Sequence, residues 1–360
     1  MSRKRASYCG LARAFRPAVL FIEIMKRFIT HRFRWLFLAC SLILLSPLLH
    51  ASPVAASTPL KCKGWHVVPS PSPGVAGNYL YGVTAISSTA AWAVGEYGPA
   101  GGGSSTLTEH WDGSQWNLVP SPNPGTNGNY LYGVAAISST DVWTVGVRDA
   151  VTLIEHWDGT QWSVIPSPNP SSNVDYLYSI SAVSSNDVWA VGYSSPPSGG
   201  TYILIEHWDG SQWSVVASPS PGPYVNYLYG VAAASNTDVW AVGGYSPRKG
   251  GAATLIEHWN GSQWTKVKSP NPGSFANLLY AVSALPNGNV WTVGYYFPNP
   301  STVLNLTEHW TGGHWKAVKS PNPGPDNLRG VALVPGTSRA WAVGYYSNGT
   351  DEQTLIEAYC

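Results

Sequence analysis

Glutamate followed by histidine recurs five times, as Glu109–His110, Glu155–His156, Glu206–His207, Glu257–His258 and Glu308–His309. A sixth copy, Glu357–Ala358, keeps the acid alone. A carboxylate beside an imidazole could pass a proton or hold a metal ion. Regular repetition points elsewhere. A catalytic site breaks the symmetry of its scaffold, and equivalent residues on separate units stand too far apart to share one ion. Each pair is expected to make the same local hydrogen bonds within its own unit. Other chemistry-bearing residues are sparse. His66 and His314 lie beside tryptophans with no evident partner. The sequence holds no phosphate-binding loop, zinc-ligand spacing or nucleophile elbow. It predicts no catalytic residue, no metal site and no cofactor.

The elements that carry these pairs are repeats. "QWNLVPSPNP" (115–124) returns as "QWSVIPSPNP" (161–170) and "QWTKVKSPNP" (263–272), and "NYLYGV" occurs at 78–83, 129–134 and 226–231. Trp65, Trp116, Trp162, Trp213, Trp264 and Trp315 mark a period near 50 residues. Each unit reads as four short β-runs, a to d; in the third unit they are "YLYSISAVS", "DVWAVGY", "YILIEHW" and "QWSVIPS". Asp-Gly between c and d signals a tight hairpin, and Ser, Asn, Pro and Gly fill the other breaks. Only 11% of residues are charged, against 37 glycines, 29 prolines and 18 tryptophans, a composition that suits a turn-rich β-protein. Four strands at this period specify a β-propeller blade. Strand a should line the central channel and strand d the rim, with one tryptophan from each of b, c and d filling the space between blades.

Strand counting predicts an all-β, six-bladed β-propeller of four-stranded blades over residues 58–360. Strand a recurs from near 79, 130, 176, 227, 278 and 328. Strand d begins earlier, at "WHVVPS" (65–70), and the last unit has none, so the N-terminal strand is expected to close the last blade. In five units the c-strand aromatic and the d-strand tryptophan flank a four-residue turn. In the sixth they are Tyr359 and Trp65, which puts Cys360 and Cys62 at the Asp and Gly positions of the absent turn. A disulfide between Cys62 and Cys360 is expected there.

Residues 1–57 read as a signal-peptide region. "KRFITHRFR" (26–34) is basic, "WLFLACSLILLSPLL" (35–49) is apolar and "SPVAAST" (52–58) is small. That order predicts export with cleavage near Ala56 and a start at Met25; the apolar run is short for a membrane span. Residues 58–360 retain a net charge of about −7, which gives no electrostatic reason for a nucleic-acid partner.

"VWAVGGYSPRKGGAATLIEHWNGSQWTKV" (239–267) resembles a kelch repeat, with an apolar run, Gly243–Gly244, Tyr245, a loop, an apolar strand and a tryptophan. That resemblance implies a galactose-oxidase-like propeller. The double glycine occurs in one unit of six. "GV…WAVG…W" is also similar to sialidase-type and photosystem-assembly-type propeller repeats, although their Asp-box separates the Asp and Gly that are adjacent here in Asp158–Gly159. Copper-radical chemistry on a related propeller needs a cysteine–tyrosine cross-link, for which Cys62 and Cys360 are poorly placed.

Binding is the leading function. The d–a loops deliver tyrosines to the entrance of the inner strand, as Tyr79/Tyr81, Tyr130/Tyr132, Tyr176/Tyr178 and Tyr227/Tyr229; the pattern then breaks to Leu278/Tyr280 and Leu328/Arg329. Tyrosine combines an apolar face with a polar tip. These residues predict a ligand site for carbohydrate or an extracellular protein on a secreted or cell-surface monomer. Packing of the channel mouth is the alternative role of each tyrosine. A structural surface module ranks second as a function, and a carbohydrate-active enzyme third.

Overall fold

In a computed structural model, the described residues are 68–322, 326–333, 340–347 and 352–359. Sheet 1 comprises β1 (Asn78–Ser87), β2 (Ala90–Tyr97), β3 (Ser105–Trp111) and β4 (Trp116–Leu118). Sheet 2 comprises β5 (Asn129–Ser138), β6 (Asp141–Arg148), β7 (Val151–Trp157) and β8 (Trp162–Val164). Sheet 3 comprises β9 (Val174–Ser184), β10 (Asp187–Ser195), β11 (Tyr202–Trp208) and β12 (Trp213–Val215). Sheet 4 comprises β13 (Asn226–Ser235), β14 (Asp238–Tyr245), β15 (Ala253–Trp259) and β16 (Trp264–Val267). Sheet 5 comprises β17 (Ala276–Ala284), β18 (Val290–Asn299), β19 (Thr302–Trp310) and β20 (Trp315–Val318). Sheet 6 has three described strands, β21 (Asp326–Leu333), β22 (Ala340–Ser347) and β23 (Glu352–Tyr359). Every sheet is an antiparallel meander in chain order. The protein is thus all-β, with five four-stranded sheets and a sixth partial one. Residues 65–67, the sequence counterpart of β4, lie outside the described residues, as do Cys62, Cys360 and the signal region.

In sheets 1 to 5 the second strand is buried along most of its length, as in β6, because its two faces meet different neighbours. The core lies between successive sheets. Val145 and Ile154 of sheet 2 pack with Leu177, Val188 and Leu204 of sheet 3, and the same cluster recurs between sheets 3 and 4 and between sheets 4 and 5. Burying one such side chain stabilises by about 1.5–3 kcal/mol. The expected tryptophan filling is present with a definite handedness. Trp92 of sheet 1 meets Trp157 and Trp162 of sheet 2 at 5.0 and 5.1 Å. Trp143, Trp189 and Trp240 repeat this against the next sheet, and Trp291 meets Tyr359 at 4.4 Å.

The inner strands each carry a register shift, between Leu131 and Gly133 in β5 for example. Opposite it, β6 comes so close that a Cβ on Gly146 would run into the Tyr130 carbonyl oxygen. The rigid partner is backbone, so it cannot swing aside. Gly146→Ala is expected to destabilise the fold by about 3 kcal/mol, at the upper end of overpacking costs; a urea midpoint unchanged from wild type would contradict this.

Candidate functional site

Asparagine fixes the loops that lead into the inner strands. Asn129 Oδ1 accepts from Gly125 N at 2.7 Å, while its Nδ2 donates to the Gly125 carbonyl at 3.1 Å. Asn226 clamps Gly222 and Asn277 clamps Gly273 in the same way. In sheet 3 the position is Asp175, which accepts from Ser171 N at 3.1 Å; burial pushes its carboxyl up. Loops of adjacent sheets are stitched together, with Asn129 N donating to Ser104 O and Asp175 N to Ala150 O, both at 2.9 Å. The d–a and b–c loops therefore share one face.

On that face the tyrosines form an arc. Alternation along each strand puts Tyr79 and Tyr81 on one side of β1 and Leu80 on the other. Ring centroids run Tyr81–Tyr132–Tyr178–Tyr229–Tyr280 at 5.4, 5.4, 5.4 and 5.0 Å, all in tilted contact. Arg329 completes it, its guanidinium 4.0 Å from the Tyr280 centroid and 6.0 Å from that of Tyr295, a cation–π arrangement. A second tier sits nearer the loops: Tyr79, Tyr130, Tyr176 and Tyr227 each stack on the tyrosine two residues on, at 5.8 to 6.4 Å. Tyr79, Tyr81 and Arg329 are exposed, whereas the other arc tyrosines are half-buried. Burial pushes the phenols of Tyr81, Tyr132, Tyr178 and Tyr229 up, so they remain neutral donors near pH 7.

The structure brings together all the sequence-predicted tyrosines and Arg329. One register is corrected. Asn327, not Leu328, stands opposite Tyr345 as Tyr79 stands opposite Glu96; Leu328 is buried toward sheet 5 beside Val293. Likewise Leu278 holds the Tyr79 position in sheet 5 and is 3% exposed. Three members of the collar lie on second strands. Tyr193 packs on Tyr176 and Tyr227 at 5.3 and 4.8 Å, the Tyr295 and Tyr280 hydroxyls are 3.2 Å apart, and Tyr81 donates to Glu96 at 2.9 Å. The signal for them is the residue after the recurrent glycine in Gly95–Glu96, Gly192–Tyr193 and Gly294–Tyr295. In sheet 4 that place is Gly244, where a Cβ would stand 3.0 Å from Leu278; the double glycine makes room for the neighbouring leucine.

The Glu-His pairs divide their labour. The imidazoles behave as expected: His156, His207 and His258 bond Asp141, Asp187 and Asp238 of their own sheets at 2.8 to 2.9 Å, and His309 bonds Asn289 at 3.0 Å. The acids do not. Strand alternation turns Glu155, Glu206, Glu257 and Glu308 into the seams between sheets and Glu109 toward Ser70 of the preceding segment; all five are fully buried. Glu257 accepts from Ser218 of the preceding sheet. Among the described residues no cluster of ligands suits a metal ion, and no helix is long and apolar enough to cross a membrane.

No protein-family model matches the chain, and no curated protein does. Solved structures do. The structure described as YCF48 bound to D1 peptide superposes with a TM-score of 0.50 at 15% identity, covering 82% of this chain and 85% of that one. A gluconolactonase, XC5397 from Xanthomonas campestris, superposes with a TM-score of 0.42 at 12% identity, over 76% and 94% of the two chains. At 15% identity the first likeness establishes the fold, a β-propeller of four-stranded antiparallel blades.

Proposed function

We propose that this chain is a secreted, non-enzymatic propeller that binds carbohydrate or an extracellular protein at the tyrosine-lined mouth. The propeller has six kelch-like blades, and residues 65–67 supply the fourth strand of the last. The observation that carries the binding role is the unbroken arc of tyrosines ending on an exposed arginine. The hydroxyls along the arc and the exposed faces of Tyr79 and Tyr81 give a ligand both hydrogen-bonding groups and apolar surface, as binding loops rich in tyrosine do. YCF48, whose structure holds a D1 peptide, is a propeller that holds a polypeptide. Export with cleavage after Ala56 gives the mouth an extracellular partner.

The test is a glycan and peptide array probed with exported protein, whose intact mass also reads the cleavage near Ala56. Specific binders are expected, and Tyr81→Ala should weaken them on the order of tenfold, since truncation of a central aromatic at a binding site costs more than about 1 kcal/mol. Tyr81 is 48% exposed, so its removal leaves the core intact. Binding unchanged in Tyr81→Ala and Arg329→Ala moves the site off this face. A uniformly negative array leaves the structural module as the function.

A further inference from the structure

The inner leucine distinguishes one sheet from the rest. Leu131, Leu177, Leu228, Leu279 and Leu328 are each 0% exposed, because each packs on the preceding sheet. Leu80 of sheet 1 is 45% exposed and Val83 is 70% exposed. The Leu80–Val83 part of this face is built like five covered ones and is itself exposed, whereas Leu107 beside it is buried. Sheet 1 also holds Trp111 and Trp116, 5.8 Å apart. In sheets 2 to 5 such a pair receives a tryptophan from the second strand of the sheet before. For sheet 1 the repeat assigns that place to the second strand of sheet 6.

Charge marks the same boundary. Around the collar the first-tier positions are Tyr81, Tyr132, Tyr178, Tyr229, Tyr280 and Arg329. The second-strand positions Glu96, Val147, Tyr193, Gly244, Tyr295 and Tyr345 pair with the second tier, at Tyr79, Tyr130, Tyr176, Tyr227, Leu278 and Asn327. One cation and one anion stand among these eighteen residues. They occupy the two ends of the arc, on sheets 6 and 1, the pair that ring closure makes neighbours. Chain segment 68–70 supplies a further link: Ser70 lies against Glu109 of sheet 1 and offsets part of the rise that burial imposes on its carboxyl, as Ser121 of sheet 1 does for Glu155 of sheet 2.

We propose that sheet 6 docks on the Leu80–Val83 face of sheet 1, and that Arg329 latches the closed mouth by spanning from Tyr280 to the Glu96 carboxylate that Tyr81 already bonds. The occupant is the chain's own sixth sheet because five interfaces of the same build already join consecutive sheets. A guanidinium held by a ring on one side and a carboxylate on the other is pre-oriented. Opposite charges at the ends of the arc also disfavour any other register of closure. A ligand entering the mouth therefore meets an ion pair at the seam.

This inference rests on the six-bladed reading of the ring, and two readouts separate the two. Hydrogen exchange of β1 amides reports the latch, and thiol labelling of Leu80→Cys reports closure. Arg329→Glu and Glu96→Arg should each speed β1 exchange on the order of tenfold, within the coupling range of contacting groups, and the double swap E96R/R329E should restore most of the protection. Glu96→Gln, which keeps size and removes charge, should show the same sense, and added salt should mimic it in the wild type. Additive single-variant effects, with the introduced thiol protected, mean a closed ring without the latch and overturn the inference. Rapid labelling of that thiol in a monomer overturns closure itself. Protection of the thiol that arises only in a dimer on gel filtration gives the face to a second copy and overturns the own-chain assignment.

Discussion

Raising the pH from about 5 to about 9 is expected to strip several kcal/mol from the stability of this protein, and Glu206→Gln is expected to return a share of it. The carboxyls of Glu155, Glu257 and Glu308 are pushed up to about 8 and that of Glu206 to about 9, chiefly because the seams exclude water. Asp175 adds to the rise at Glu206. Ser121 offsets part of it at Glu155, and Ser218 and then Lys266 do so at Glu257. In the unfolded chain these groups titrate near 4.5. Between the two values the folded state binds more protons than the unfolded one, so stability falls as pH rises. The contribution is whole below about 4.5 and is lost as pH passes 8 to 9. At about 1.4 kcal/mol per pH unit for each site, a few carboxyls suffice to move the fold from stable to marginal. Glutamine keeps the shape and cannot ionise. Urea unfolding at pH 6 and pH 9.5, in wild type and Glu206→Gln, measures the difference; a pH-independent midpoint in the wild type would show that the seams tolerate charge.

Cys62→Ser is expected to cost up to about 4–5 kcal/mol, the chain-entropy value for a cross-link enclosing nearly a whole domain. Both cysteines lie outside the described residues, and the register of β23 sets their expected positions. Tyr359 meets Trp291 at 4.4 Å, as Trp157 meets Trp92 at 5.0 Å. Tyr359 therefore takes the third-strand aromatic position, and Cys360 follows at the place of Asp158. In the intact turns that residue accepts two backbone N–H groups, as Asp158 does from Thr160 and Gln161. A cysteine cannot do so, and a covalent bond to Cys62 at the adjacent glycine position would replace the lost restraint. Peptide mapping without reductant reads the bond: a linked Cys62–Cys360 peptide is expected, and two alkylatable thiols in the denatured protein would remove it.

Strand order was legible in the sequence because the units are near-copies, and each copy repeats the same turn chemistry. The asparagines were visible as the first residue of the recurrent NYLYGV, but their clamp on Gly125 or Gly222 was not. That bond depends on how the loop folds back over four residues. The tyrosine arc was legible as a list of equivalent positions. Its continuity was not, since contact between Tyr81 and Tyr132 requires two sheets to be placed side by side. Glu206 was misread as a partner of a neighbouring group within its own blade. Adjacent strand residues face opposite ways, so a Glu-His pair cannot share one environment. One faces its own sheet's aspartate and the other enters the seam.

The central claim is that the ligand enters at the collar. Tyrosine-ring and arginine side-chain NMR of the labelled protein, titrated with the tightest array binder, addresses it residue by residue. Saturable shifts are predicted at Tyr79, Tyr81 and Arg329, with smaller ones at Tyr132 and Tyr280, while the Trp111 and Trp157 indoles beside the Asp112 and Asp158 turns stay unmoved. Shifts confined to those indoles, with the tyrosine and arginine signals unchanged at saturation, would contradict the account.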